Sequence, residues 1–362
     1  MSQPQPSDFF PKIDAPSAEF ADKARQFQLT LTKPTGSLAR LEALGVWLSS
    51  CQSQVPPRKI ERPRLVVFAG DHGIATKGVS PYPIEVSIQM ADNIRRGGAG
   101  VNAVARQSGT GIRVADISLF HDAFGEERVS KGCGSIDYED AMSQEQLVRA
   151  IEIGKRIADQ EVDAGADLLM AGDLGIGNTT PSAVIIGLLT NNEPVVVTGR
   201  GSGVDDEGWK RKVAAVRDAM FRARRDRNDI LTLMRKVTSP ELAAMAAFIA
   251  QAAVRRTPVL LDGVVVTAAA MLAEKMAPGA RHWMQAGHQS AEPAHAFALR
   301  YLGLEPLLKL GLRLGEGSGA AAAVPLVMMA CDIMNDMATF DSAGVSGKGA
   351  VPTNRFDDKI QD

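Results

Sequence analysis

Six short apolar runs recur along the chain from residue 64 onwards, with glycine or aspartate at or near the end of each. The runs lack polar alternation, which is typical of strands buried on both faces of a sheet. Longer segments with helical spacing separate them, and this alternation predicts βαβ units of an α/β protein with a parallel sheet. The predicted strands are 65–69, 112–117, 167–171, 194–198, 258–261 and 282–286, and the helical segments are 84–107, 144–164, 181–189, 206–222 and 266–276.

Both ends of the chain show helical spacing outside this alternating region. A helix is expected over 17–31 and another over 38–48, and the proline-rich stretch 53–64 is expected to be a linker. Helical spacing returns at 291–301 and 320–337, before a glycine-rich, charged tail over 342–362 that is expected to be irregular. We predict a large α/β domain over 60–330, with a small helical domain formed by 1–59 together with 331–362.

Charge and composition limit the classes of partner. The net charge is −2 over 362 residues, so no basic field attracts nucleic acid or an anionic membrane. The N-terminus lacks an apolar signal core, and the apolar run 320–331 is short and contains Pro325, which favours a buried helix over a membrane span. Cys51, Cys133 and Cys331 form no CxxC pair. A disulfide is one reading of them, but free thiols in the cytoplasm fit better.

Two glycine-rich loops have the composition of anion sites. The loop GDLGIGNTTPSAV, 172–184, combines glycines with hydroxyl and amide donors and leads into a helix whose first turn contains Pro181. An ordinary βα turn is the alternative. The loop GRGSG, 199–203, precedes a helix with Lys212, whose charge either neutralises a phosphate or faces solvent. Neither loop matches a Walker motif or a clean GxGxxG motif, so neither an NTPase nor a dinucleotide enzyme is supported.

Glu316 is the best candidate for a general base. It lies in GEGSG, 315–319, beside the apolar run that follows, where little water raises a carboxyl pKa towards neutrality. A helix-capping glutamate is the alternative. His72 and His288 suit a base, a ligand or a structural hydrogen bond equally. The spacing of Asp71, His72, Asp173 and Asp262 specifies no metal.

Taken together, several strings resemble the nicotinate-nucleotide:dimethylbenzimidazole phosphoribosyltransferase family, which makes the lower-ligand nucleotide of cobalamin. They are LTKPTGSLARLE (31–42), FAGDHGIATKGVSPYPIEVSIQM (68–90), GGAGVNAVARQ (97–107), GDLGIGNTTPSA (172–183), TGRGSGVDDEG (198–208), DGVVVTAAAMLA (262–273), HQSAEPAH (288–295), LGLRLGEGSGAA (310–321) and NDMATFDSAGV (335–345). The resemblance implies a doubly wound, Rossmann-like large domain, a small helical domain from both chain ends, and a cytoplasmic homodimer.

The resemblance also implies a reaction: nicotinate mononucleotide and 5,6-dimethylbenzimidazole give α-ribazole 5′-phosphate and nicotinate. Glu316 matches the family's catalytic base, and no cofactor or Mg²⁺ is implied because no pyrophosphate departs. The positions that match the family's base pocket are Ser80, Tyr82, Gln89 and Leu314. Those that match its nucleotide site are Asp173, Gly175, Ile176, Gly177, Asn178, Thr179, Gly201, Ser202, Lys212, Asp262 and Ser290.

Three positions depart from the family pattern. Asp173 stands where the family often has glutamate, which shortens the reach of the carboxylate by one methylene. The segment 132–136 replaces an expected GTxN-like string, and Val266 replaces a hydroxyl residue. These changes bear on the choice of base more than on the reaction.

Other functions stay open at the level of sequence. A transferase that uses diphosphorylated phosphoribose would carry two acids before a Thr-Gly loop, but here VDDEG, 204–208, follows the glycine loop. A transferase acting on another base, or a non-catalytic protein that binds nucleotide or benzimidazole on the same fold, are the further alternatives.

Overall fold

The computed structural model describes residues 4–123 and 125–347. Within them, six strands form one all-parallel sheet in the order β2-β1-β3-β4-β5-β6. The chain therefore leaves β1 towards one edge and then crosses back to build the other side, which is the doubly wound topology expected above. The strands are β1 (Pro63–Gly70), β2 (Gly111–Ser118), β3 (Leu168–Leu174), β4 (Val259–Leu261), β5 (Met284–His288) and β6 (Pro306–Leu308).

The sheet centre is apolar and buried on both faces. Residues 65–69 of β1 and 168–171 of β3 have no solvent exposure, as their non-alternating sequences predict. The two strands pair in register up to Ala69 opposite Leu174, so their carboxyl ends lie side by side. This is the switch point of the sheet, where ligands of such folds bind.

Helices cover the sheet and account for most of the remaining chain. The long α5 begins with a reciprocal cap, in which the Ser143 hydroxyl accepts from the Gln146 amide at 3.2 Å and the Gln146 side chain accepts from the Ser143 amide at 2.8 Å. The helices are α1 (Ala18–Thr30), α2 (Arg40–Gln52), α3 (Val86–Arg95), α4 (Gly100–Ala105), α5 (Gln144–Asp163), α6 (Thr179–Thr190), α7 (Pro194–Val197), α8 (Asp206–Ala223), α9 (Ile230–Val237), α10 (Pro240–Val254), α11 (Val264–Met276), α12 (Pro293–Leu302), α13 (Ser318–Asp336) and α14 (Phe340–Ala343).

One predicted strand is wrong, and one strand was missed. Most of the stretch 194–198 forms the single helical turn α7, which begins at Pro194. It follows a residue of left-handed backbone conformation at the end of α6. Val195 and Val196 are exposed, so the β-branched run reflects no buried strand. The sixth strand is instead β6, a three-residue, half-buried edge strand beside β5. Its proline is tolerated because it starts an edge strand.

The helix predicted over 84–107 is two helices. Gly97, at φ +81°, separates α3 from α4 in a backbone conformation that favours glycine. Sequence periodicity also gave no prediction for α10, because its residues 240–253 are buried on every side and show no polar face. It packs against α5, where Gly154 leaves room for the backbone of Ala244.

The chain divides into two compact units. The first comprises residues 4–16 and Ile60–Met328, and contains the sheet. Its N-terminal segment is held by a hydrogen bond from the Trp283 indole to the Asp14 carbonyl, at 2.9 Å. The second comprises Ser17–Lys59 and residues 329–347, and includes α1, α2 and a buried Lys33–Glu42 ion pair of 2.8 Å. The predicted irregular tail starts inside α14, and its residues 348–362 lie outside the described residues.

By length and composition, α13 could cross a membrane. A little over half of its apolar window is buried inside the protein, however, and the core helix of a globular protein passes the same test. Cys51, Cys133 and Cys331 form no disulfide with one another.

Candidate nucleotide-binding site

A cavity of about 460 Å³ opens at the carboxyl ends of β1 and β3. It brings together most of the predicted site residues, which come from five separate stretches of chain. These are Ser80, Tyr82, Asp173, Gly175, Ile176, Gly177, Asn178, Thr179, Gly201, Ser202, Ser290, Leu314 and Glu316.

Three nominated residues lie elsewhere. Lys212 and Asp262 are buried. Lys212 donates a hydrogen bond to the lining residue Thr179, and Asp262 accepts one from Gly317, which follows the lining residue Glu316. Gln89 is exposed on α3, and it is not among the described residues that line the cavity. Its neighbours Ser87 and Met90 on the same helix line the cavity instead.

One end of the cavity combines groups that favour an anion. Thr179 begins α6, and its hydroxyl accepts a hydrogen bond of 2.6 Å from the Lys212 ammonium. Lys212 is 1% exposed, and burial lowers its pKa against the opposing influence of the Glu292 carboxylate. A Cβ added to Gly201, whose φ is +54°, would lie 3.0 Å from the Lys212 nitrogen, so the glycine leaves room for that ammonium. A helix start and a buried cation therefore converge on one point.

Glu316 is held in a strained backbone conformation at the other end. Its φ is +63°, between glycines at +81° and +86°, and its amide donates to the Asp173 carbonyl at 3.1 Å. Left-handed geometry at a glutamate is uncommon and marks a constrained position. The side chain accepts from the Val101 amide, at 3.4 Å, in the first turn of α4. Burial raises the pKa of Glu316, as a general base near neutral pH requires.

Asp262 fixes the loop that carries Glu316. Its carboxylate accepts from the amides of Gly317, Gly319 and Ala320, at 3.2, 2.7 and 3.0 Å. The start of α13 is thus capped from β4, and the Glu316 side chain is left to face the cavity. The local helix-capping role considered for Glu316 falls to Asp262.

Asp173 is the most perturbed carboxyl group of the cavity. Burial, followed by the neighbouring Asp262 and Glu316 carboxylates, raises its pKa to about 8. The Asn178 amide donates to Asp173 Oδ2 at 2.7 Å, which partly offsets that rise. At neutral pH Asp173 therefore retains its proton and is a hydrogen-bond donor as well as an acceptor.

An apolar wall forms another part of the cavity lining. Val79, Val86 and Met90 line it, and Tyr82 and Leu314 stand about half-exposed at its rim. The Ser80 and Ser202 hydroxyls lie 3.3 Å apart beside this wall. Such a slot suits a flat aromatic ring with a polar edge.

Sequence reasoning missed several lining residues. Ser87 accepts from the Ile176 amide at 3.1 Å and so ties α3 to the loop after β3. Arg313 donates to the Gly201 carbonyl at 3.4 Å, and Glu292 accepts from the Gly201 amide at 2.9 Å. Ser87 and Glu292 occur inside the family-like strings, but nothing in their local spacing singled them out.

The nominated histidines separate into different environments. His72 is buried away from the cavity, with Nε2 3.0 Å from Glu241 Oε1. Burial disfavours its charged form, but Glu241 outweighs burial and raises the pKa of His72 well above its usual value. This geometry fits the structural pairing considered above. His288 lines the cavity. Across residues 4–123 and 125–347, no group of three or more His, Cys, Asp or Glu is arranged to hold a metal.

The segment 132–136, where the family pattern is broken, packs beside β1. The Gly73 amide donates to the Cys133 carbonyl at 3.1 Å, and the Cys133 amide donates to the Asp71 carbonyl at 3.0 Å. The segment supports the loop after β1 and does not contribute to the described lining of the cavity.

The fold and this cavity place the chain among the phosphoribosyltransferases. A family model described as phosphoribosyltransferase matches residues 13–345, so the chain belongs to that family. The nicotinate-nucleotide--dimethylbenzimidazole phosphoribosyltransferase of Corynebacterium glutamicum is 63% identical over 94% of this chain and 96% of its own length. The enzyme of the same name from Mycobacterium avium is 56% identical, over 95% and 99%.

A solved structure agrees with these relatives. CobT from Thermus thermophilus superposes with a TM-score of 0.87 at 40% sequence identity, covering 91% of this chain and 99% of that one. At this identity the likeness extends to the family as well as the fold.

Proposed function

We propose that this chain transfers the phosphoribosyl group of nicotinate mononucleotide to 5,6-dimethylbenzimidazole, giving α-ribazole 5′-phosphate and nicotinate. The observation that carries the proposal is that one cavity combines an anion cradle, a carboxyl group of raised pKa and an apolar slot. The names of the relatives and the 63% identity over nearly the whole chain support the same reaction.

The nucleotide phosphate occupies the cradle. The Thr179 hydroxyl, the start of α6 and the Lys212 ammonium supply hydrogen bonds and positive charge there. Gly175, Ile176, Gly177 and Asn178 curve around the ribose, and Ser202, Asp262 and Ser290 complete the nucleotide site. Asp173, in its protonated form, donates a hydrogen bond to a ribose or nicotinate oxygen.

Glu316 takes the proton that the acceptor base must lose. One nitrogen of the benzimidazole attacks C1′ of the ribose, and the C1′–N bond to nicotinate breaks with its electron pair left on the pyridine nitrogen. The proton on the other benzimidazole nitrogen passes to the Glu316 carboxylate. Burial keeps the pKa of Glu316 raised, which makes it a stronger base than an exposed glutamate. Attack from the opposite face converts the β anomer to the α anomer.

The apolar wall of the cavity holds the acceptor ring. Tyr82 and Leu314 cover its faces, and Ser80 and Gln89 contact its edges, with Gln89 turning in from its exposed position on α3. The wall has little polar character, so it selects for flat aromatic bases rather than for sugars.

A turnover assay tests the reaction. Purified protein is incubated with nicotinate mononucleotide and a panel of dimethylbenzimidazole, benzimidazole, adenine and phenol, with and without EDTA, and the α-riboside phosphate is detected by chromatography. We expect dimethylbenzimidazole to be used in both conditions. Preferred use of adenine or phenol would assign another acceptor. Absence of turnover would favour a binding protein. Turnover only when diphosphorylated phosphoribose and Mg²⁺ replace nicotinate mononucleotide would favour a diphosphate-releasing transferase.

Substitution of Glu316 by Gln tests the assigned base. The amide keeps the shape and cannot take a proton, so we expect the rate to fall by about 100-fold or more while nucleotide binding is retained. Glu207, a 70% exposed carboxylate on α8, provides the control Glu207→Gln. Unchanged turnover in Glu316→Gln would remove Glu316 from the chemistry.

We also propose a cytoplasmic homodimer with two domains. The absence of a disulfide among Cys51, Cys133 and Cys331 suits a reducing compartment. The compact division near residues 60 and 330 supports the two-domain arrangement predicted from the sequence. Sedimentation equilibrium tests the dimer, cell fractionation the location, and limited proteolysis the domain boundary.

A further inference from the structure

Glu292 places a carboxylate on Gly201, beside the cradle that the proposed function assigns to phosphate. It lies at the start of α12, two residues after Ser290, and lines the cavity half-buried. Its Oε1 accepts a hydrogen bond of 2.9 Å from the Gly201 amide. A Cβ added to Gly199 would lie 2.6 Å from the Glu292 carboxyl carbon, so the absence of a side chain at Gly199 makes room for this carboxylate.

The negative charge of the Glu292 carboxylate also compensates the positive charge of the buried Lys212. That ammonium is 1% exposed, and burial alone would lower its pKa, whereas Glu292 raises it. The neutral Thr179 hydroxyl is the partner within hydrogen-bond distance of the Lys212 nitrogen. A buried cation without a nearby anion is costly, so Glu292 stabilises the charged form of Lys212.

The Gly201 amide cannot bind the Glu292 carboxylate and a ligand phosphate at the same time. A backbone amide such as that of Gly201 donates one hydrogen bond, and a phosphate close to Glu292 would meet a second negative charge in a partly desolvated site. The nucleotide phosphate and the Glu292 carboxylate therefore compete for one donor and one cation.

We propose that Glu292 is an internal counter-anion that phosphate displaces from Gly201, and that it thereby sets the affinity of the site for phosphorylated ligands. The inference rests on the proposed function only for the identity of the nucleotide. Binding of a phosphate requires the carboxylate to move, and binding of a ligand without phosphate does not. The transfer reaction leaves the phosphate on the product, so Glu292 weakens the binding of substrate and product alike and favours release.

Binding of inorganic phosphate is the direct test, because it needs no turnover. Glu292→Gln keeps an oxygen that accepts from Gly201 and removes the charge. We expect inorganic phosphate to bind about tenfold more tightly to this variant by isothermal titration calorimetry. Glu207→Gln makes the same change of net charge at an exposed position and should bind phosphate as the unmodified protein does. Unchanged or weaker phosphate binding in Glu292→Gln would overturn the inference.

A second comparison separates displacement from ribose recognition. Affinities of nicotinate mononucleotide and of its dephosphorylated nucleoside are measured for the unmodified protein and for Glu292→Gln. Displacement predicts tighter binding of the nucleotide with the nucleoside unchanged. If Glu292 binds ribose hydroxyls instead, both ligands weaken, and the proposal is refuted.

A conservative variant protects the test against misfolding. Glu292→Asp retains the charge on a side chain one methylene shorter, which loosens its hold on Gly201. We expect it to tighten phosphate binding in the same direction by a smaller factor. Should the protein bind phosphate as described but fail to transfer phosphoribose, the proposed function would fail and this inference would stand.

Discussion

Replacing Gly172 by Ala tests whether the position of the Glu316 backbone sets the rate. Gly172 lies in β3 next to the Glu316 loop. Its φ is not in the left-handed region, so its backbone conformation is one that alanine adopts without strain. An added Cβ would lie 2.5 Å from the Glu316 carbonyl carbon and 2.7 Å from the Gly317 nitrogen. Both neighbours are backbone atoms, which cannot rotate away.

The size of the effect follows from these distances. An ordinary Cβ contact starts at 3.4 Å, so the Glu316 peptide must move away from β3 by about 1 Å. A misplacement of about 1 Å in a catalytic group can cost about 100-fold in rate. The overpacking itself should cost about 1–3 kcal/mol of stability. We therefore expect a folded protein with kcat/KM reduced by about 100-fold.

Steady-state release of nicotinate measures the rate, and urea unfolding measures the stability. Gly125→Ala is the matched control, because Gly125 is exposed, has no atom within 4 Å of an added Cβ, and lies outside the left-handed region. The reasoning is refuted if folded Gly172→Ala keeps kcat/KM within about twofold of the unmodified protein.

Three further substitutions test other parts of the structure. The folded pKa of Asp173 is about 8, so it binds a proton that the unfolded chain has lost, and stability falls as pH rises from about 4 to 8. In urea unfolding, the free energy of unfolding of Asp173→Asn should fall less steeply between pH 5 and 8 than that of the unmodified protein, by about 1 kcal/mol per pH unit at most. An unchanged dependence on pH would contradict the raised pKa of Asp173. Lys212→Met should raise the KM for nicotinate mononucleotide by at least about tenfold, because the cation beside Thr179 is lost. The free energy of unfolding should be unchanged or higher, because the cost of burying that charge is lost too. An unaltered KM would place the phosphate elsewhere. Gly154→Ala should lower the free energy of unfolding in urea by about 1–3 kcal/mol, because its Cβ would lie 2.8 Å from the Ala244 carbonyl carbon. Activity per folded molecule should be retained.

Local pattern was enough to predict most of the sheet. The buried strands β1 and β3 have continuous apolar sequences because both faces are covered, and this signal needs no tertiary information. The pattern failed at residues 194–198, where valines that favour strands form one helical turn. It also failed at β6, whose three residues pair only because β5 lies beside them.

The candidate site was predicted unevenly for the same reason. Glycine-rich loops and a lone carboxylate are visible in sequence, and the ordered family resemblance turned Glu316 from an ambiguous residue into a specific proposal for the base. The capping of α13 by Asp262 was not visible, since 55 residues separate Asp262 from Gly317. The place of Gln89, exposed beside the cavity, also lay beyond local pattern.

The sequence by itself determined the class of fold, the glycine-rich loops that form part of the cavity, and the family of the chain, because these depend on residue type and order. Tertiary structure alone decided which charges meet. Asp173, Asp262 and Glu316 come from three distant segments, and their shared burial is what raises the pKa of Asp173. Glu292 reaches Gly201 across 91 residues. Electrostatic energy depends on the distance between charges and on the exclusion of water. Both are set only when folding brings the strands side by side.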